Sequence, residues 1–186
     1  MITRREFVCG VACAAVAGNV MGQEAGAKNE NLVAPCGLYC GACSGYLTTQ
    51  GYRDNRASGS GGGKPKPSGE SMLCDGCLGG GRVLAHVTKC AIRTCAESKT
   101  KTRRCSECAE FPCSRITDFN NDGMQHHSEV LANLRQLRTM GIKDWTKHEE
   151  ERWTCPKCQT KLSWYDAECP KCKTPRSDKL FPLKKA

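Results

Sequence analysis

Cys36-Gly37-Leu38-Tyr39-Cys40-Gly41-Ala42-Cys43 places three thiols within eight residues, separated by small glycines and an alanine. Glycines let the backbone fold tightly, so several sulfurs can converge on one point without Cβ clashes. The same chemistry continues along the chain, which carries sixteen cysteines in 186 residues. Four short pairs share a Cys-x-x-Cys spacing, Cys74/Cys77, Cys105/Cys108, Cys155/Cys158 and Cys169/Cys172, and Cys40/Cys43 makes a fifth. Two thiolates from one turn at this spacing bind a single metal ion, and the repetition predicts metal-ligand chemistry.

A chain of this length holds one ordinary domain or two small ones. Aromatics are 6% of residues and the mean hydropathy is −0.53, which predicts a modest apolar core. Small cores need staples, and here the staples are sulfur. The formal charge of +9 suggests an anionic partner on first reading. A tetrathiolate zinc site, however, carries a local charge of about −2, and three such sites would cancel about six positive charges. Arg103, Arg104, Lys157, Lys171 and Lys173 stand beside cysteines and balance thiolates. Net charge is therefore no strong signal for nucleic acid.

Residues 1–21 read as an export signal, with Thr3-Arg4-Arg5-Glu6-Phe7 followed by an apolar run from Val8 to Val20. The paired arginines before x-Phe look like the twin-arginine motif of prokaryotes, whose pathway exports folded proteins. Ala15-Val16-Ala17 fits the small-x-small cleavage pattern. About fourteen apolar residues are too few for a comfortable membrane span, so no span is expected after cleavage. An oxidising exterior favours disulfides, whereas repeated Cys-x-x-Cys pairs favour metal. Export of a folded chain reconciles the two, because metal is loaded in the reducing cytosol before release.

Residues 22–33 read as a disordered leader, and 34–150 as a cysteine-rich domain. Within it, 51–71 is a flexible insertion around Gly59-Ser60-Gly61-Gly62-Gly63-Lys64-Pro65. Its glycines lack the spacing of a phosphate-binding loop. Cys90 and Cys95 are spaced more loosely than a knuckle and suit a loop leading into a helix. Val130, Leu131, Leu134, Leu137 and Met140 recur at helical spacing, with Ser128 as N-cap and Gly141 as stop, predicting a helix over about 128–140 that covers the metal core. Trp145 and Ile142 are expected against the same face. His126 and His127, just before the helix, are a weaker ligand candidate because cysteines suffice.

Residues 151–175 carry the clearest signal. Cys155-Pro156-Lys157-Cys158 is matched by Cys169-Pro170-Lys171-Cys172, with ten residues between Cys158 and Cys169. Two such knuckles joined by a short β-hairpin predict a zinc ribbon, with Leu162, Trp164 and Tyr165 packing beside it. Four thiolates fill a tetrahedron and leave no open position, so the expected role is a structural clip. Residues 176–186 read as a disordered tail.

In their order and spacing, Cys36-x3-Cys40-x2-Cys43, Cys74-x-x-Cys77, Cys90-x-Ile-Arg-x-Cys95, Cys105-x-x-Cys108 and Phe111-Pro-Cys113 resemble the prokaryotic domain of unknown function 3795. The helix Glu129–Met140, Gly141, Trp145 and Arg152-Trp-x-Cys-Pro-x-Cys158 look like an extension that ends in the ribbon, so the resemblance runs over roughly 33–175. It implies a cysteine-rich, zinc-binding protein without an assigned activity. The export signal and the insertion at 51–71 depart from simpler members.

The fold expected is small and α+β, a metal-stapled cysteine-rich domain with a covering helix and a C-terminal ribbon. The expected ligands are Cys36, Cys40, Cys43, Cys74, Cys77, Cys90, Cys95, Cys105, Cys108, Cys113, Cys155, Cys158, Cys169 and Cys172. Zinc is the expected metal, in a structural or protein-partner-binding module outside the cytoplasm, with an iron–sulfur electron-transfer protein as the alternative. Cys36-x3-Cys40-x2-Cys43 also has the spacing of radical enzymes, but the repeating β/α pattern they need is missing. Five Cys-x-x-Cys pairs are too many for a thiol–disulfide exchanger. No hydrolytic motif is present.

Overall fold

The computed structural model describes residues 30–53 and 73–183. The export signal and most of the leader and insertion lie outside the described residues.

The chain enters through a tight turn. Val33 and Tyr39 form an antiparallel bridge, and the Gly37 amide donates to the Ala34 carbonyl at 2.9 Å. Gly37 has φ +85°, which an L side chain rarely adopts. A 3-10 turn, Cys40–Ala42, and the short helix α1, Ser44–Thr49, complete this segment. Leu32 and Val33 are buried here, so the end of the presumed leader is part of the core.

The second segment runs through α2, Ala85–Thr88, and α3, Ala91–Lys99, to a 3-10 turn at Cys105–Glu107 and α4, Ser114–Asn120. Cys90 precedes α3 and Cys95 lies inside it, as their spacing suggested.

The predicted covering helix is α5, Val130–Met140. It starts later than expected because Ser128 lies in a 3-10 turn, Gln125–Glu129, where its hydroxyl donates to the Gln125 carbonyl at 2.6 Å. The capping acceptor comes from elsewhere in the chain: the Leu131 amide donates to Asn120 Oδ1 at 3.0 Å. A side-chain oxygen there satisfies one of the amides that a helix start leaves unpaired. Val130, Leu134 and Leu137 face inward, while Met140 is exposed. Gly141, at φ +79°, turns the chain straight into α6, Ile142–Arg152. This helix buries Trp145 completely, edge-on to Tyr39 with ring centroids 6.3 Å apart.

The described residues are mainly helical, and the expected β component is reduced to isolated bridges. Within 151–175 these are Thr154↔Lys161 and Glu168↔Pro175, one beside each knuckle. The ten residues between Cys158 and Cys169 do not form the regular hairpin expected of a ribbon, and they dock this four-cysteine segment on the domain. The Trp164 amide donates to the Ala42 carbonyl at 3.1 Å, and Arg53 pairs with Asp166.

The tail also departs from expectation. Residues 176–183 pack on the ribbon and α6, with Leu180 and Phe181 buried. Arg176 lies over both Phe181 and Trp153, at 4.7 and 5.3 Å from the ring centroids. Arg152 donates to the Lys179 carbonyl at 3.0 and 3.1 Å. Two aromatics and two arginines thus supply contacts that composition alone did not reveal.

Candidate metal centre

The two Cys-Pro-Lys-Cys knuckles fold alike. In the first, the Cys155 amide donates to the Thr160 carbonyl at 2.9 Å and the Gln159 amide to the Cys155 carbonyl at 2.9 Å. In the second, the equivalent bonds are Cys169 to Thr174 at 2.8 Å and Lys173 to Cys169 at 3.0 Å. Gln159 and Lys173, each directly after the second cysteine, take φ of 59° and 60°. This left-handed step aims the next amide, of Thr160 or Thr174, back at the preceding sulfur.

The four sulfurs converge. Cys155 and Cys172 Sγ are 3.6 Å apart, Cys158 and Cys169 Sγ 3.5 Å apart, and all four lie within 4.8 Å of one another. A zinc tetrahedron with bonds of about 2.3 Å has edges of about 3.8 Å, whereas a disulfide needs about 2.05 Å. The spacing fits four ligands of one ion. Cys155 and Cys169 are buried, and Cys158 and Cys172 are partly exposed. The Thr174 hydroxyl, 3.1 Å from Cys172 Sγ, and the Thr174 amide bring the Cys172 thiol down to about 6. Thr160, whose hydroxyl is 3.2 Å from Cys158 Sγ, likewise lowers the Cys158 thiol, whereas burial raises Cys169 to about 11. A site that stabilises thiolates at two of its four sulfurs is prepared for a cation.

The other ten predicted ligands are distributed differently. Cys36, Cys40, Cys43, Cys74, Cys77 and Cys90 line one cavity of about 520 Å³. Cys95, Cys105, Cys108 and Cys113 border a separate pocket of about 30 Å³. Among the described residues, the ribbon four are the set of three or more ligands whose donor atoms all lie within 4.8 Å. Within the larger cavity, the neighbouring Cys77 and burial raise the Cys40 thiol, whereas the neighbouring Cys40 lowers that of Cys77. Burial raises Cys43 to about 11, and burial with the nearby Cys113, Cys108 and Cys95 raises Cys105 to about 12.

Helix α5 holds both cysteine loops. Asn133 Nδ2 donates to the Gly37 carbonyl at 3.0 Å. Arg138 donates to the Ser106 and Cys108 carbonyls and lies 4.7 Å from the Phe111 ring centroid. The covering helix is therefore also a clamp that satisfies the carbonyls of the knuckle loop.

The far wall of the larger cavity comes from residues that sequence reasoning assigned elsewhere. His126 and His127 line it with Trp164 and Tyr165, two of the residues expected merely to pack beside the ribbon. His126 stacks on Trp164 at 4.3 Å, and its Nδ1 lies 2.5 Å from the Tyr165 hydroxyl. Burial holds the imidazole neutral, with its pKa lowered to about 3. The adjacent histidines gave a weak signal, but nothing in the sequence linked them to Trp164 or to Cys36.

These features define a helical, cysteine-rich protein with a four-cysteine centre that could bind a metal ion. Residues 32–118 match the family described as Protein of unknown function (DUF3795), in support of the family to which the order of the cysteines points. The match contains all ten cysteines of the two cavities and ends before α5, α6 and the ribbon. No curated protein and no solved structure matches the chain.

Proposed function

We propose that this is an exported zinc-binding protein that serves as a structural or partner-binding module. The observation that carries the reading is the convergence of Cys155, Cys158, Cys169 and Cys172 within 4.8 Å. Four thiolates occupy every position around a tetrahedral ion, so the ribbon metal would hold the fold and not meet a substrate. Its binding free energy would be folding free energy, supporting the docked tail and α6 in a chain of modest apolar content. Export through the twin-arginine-type signal at 1–21 would follow metal loading in the cytosol, where thiols stay reduced.

The test is metal analysis of the full chain purified anaerobically, beside the Cys158→Ser variant. Zinc in the wild type, with one equivalent less in the variant, is the expected result. An absence of metal together with an absence of free thiols would mean disulfides and overturn the reading. Export is tested separately by replacing Arg4 and Arg5 with lysine in a prokaryotic host with a twin-arginine system. Retention of the variant in the cytoplasm is expected, and unchanged export would refute that part.

A further inference from the structure

Resting on the metal-binding reading above, we propose that the six-cysteine cavity holds a polynuclear metal–sulfur cluster, unlike the single ion of the ribbon. Three observations carry this. The first is number: Cys36, Cys40, Cys43, Cys74, Cys77 and Cys90 face one space, two thiols more than a tetrahedral ion accepts. The second is spacing. Among the described residues, no three of these six have sulfurs within 4.8 Å of one another, whereas the ribbon sulfurs all do. A single ion requires edges of about 3.8 Å, so the six are spread too widely for one centre but remain around one cavity. The third is size, about 520 Å³ against about 30 Å³ for the pocket bordered by Cys95, Cys105, Cys108 and Cys113.

Charge points the same way. One dication among six thiolates would leave about −4 in this cavity, and a second dication would halve it. Arg93 is the arginine that lines this cavity. His126 adds no charge, since burial against Trp164 and Tyr165 keeps it neutral. A cluster therefore suits the cavity better than an isolated ion. The chemistry this spacing admits is several irons joined by inorganic sulfide, because each zinc of a thiolate-bridged cluster would itself need four sulfurs at edges of about 3.8 Å.

The experiment counts metal and acid-labile sulfide per chain by native mass spectrometry and elemental analysis. It uses the full chain, purified anaerobically, and two double variants. Cys108→Ser/Cys158→Ser removes a ligand from each of the other two cysteine sets and is expected to retain two or more metal ions. Cys40→Ser/Cys77→Ser is expected to lose two or more relative to wild type while the ribbon zinc remains. If the first variant fails to fold, the loss measured in the second decides. One ion or none in the first variant, or a loss of fewer than two in the second, would overturn the cluster while leaving the ribbon reading intact. Iron with sulfide and a brown absorbance identifies the sulfide-bridged form. Colourless zinc in this cavity, without iron or sulfide, would overturn the proposal.

Discussion

Replacing Gly37 by alanine tests how the first cysteine loop is held. Gly37 directly follows Cys36, has φ +85°, and lies against α5. A Cβ built there would sit 2.7 Å from Leu134 Cγ and 2.9 Å from Leu134 Cδ2. Leu134 is fully buried. The backbone conformation alone costs an alanine about 1–2 kcal/mol. Forcing a methyl into the packed contact adds about 1–3 kcal/mol. Gly37→Ala should therefore destabilise the metal-loaded protein by about 2–5 kcal/mol, read from urea denaturation followed by tryptophan fluorescence. The two contributions separate in a double-mutant cycle. In a Leu134→Ala background the clash is gone, and the same substitution should cost only about 1–2 kcal/mol. A Gly37→Ala protein within about 0.5 kcal/mol of wild type, or an equal cost in both backgrounds, would refute the role given to this contact.

Other parts of the molecule give further expectations. Lys173→Gly, at φ 60°, should stabilise the metal-loaded four-cysteine segment by about 1 kcal/mol, and a lower denaturation midpoint would contradict the left-handed step. Phe181→Ala removes a buried ring packed 5.9 Å from Trp153 and should cost about 3–5 kcal/mol; a neutral result in thermal unfolding would show that the tail is dispensable. Glu149 is buried, accepts from Trp153 Nε1 at 3.0 Å and pairs with Arg152, so Glu149→Ala should cost about 3–5 kcal/mol and Glu149→Gln less, by the same assay. His126 remains neutral in the fold down to about pH 3, whereas in the unfolded chain it takes up a proton below about 6.5. Its contribution is complete above pH 6.5 and is lost as pH falls toward 3, so His126→Phe should flatten the stability profile across that window. An unchanged profile would mean that the histidine is solvated.

The sequence by itself determined the chemistry and much of the local structure. Cysteine spacing is a local property, set by a few consecutive residues, so Cys155-Pro-Lys-Cys158 and its partner could be read directly as converging knuckles. The same holds for α5, whose apolar positions recur at helical spacing, and for Gly141 as its end. What remained hidden depended on residues far apart in the chain. Ser128 looked like the natural cap, but Asn120 supplies the oxygen because α4 ends beside the start of α5. The tail read as disordered by composition, yet Leu180 and Phe181 are buried where Trp153, Arg152 and Arg176 meet them. Ten cysteines of similar local character come to line two neighbouring cavities only by packing around α3 and the loops on either side, with Cys105 still close to Cys36 and Cys90. Spacing along the chain names the thiols, and only the tertiary structure decides which of them share a space, because convergence depends on contacts that the sequence does not place side by side.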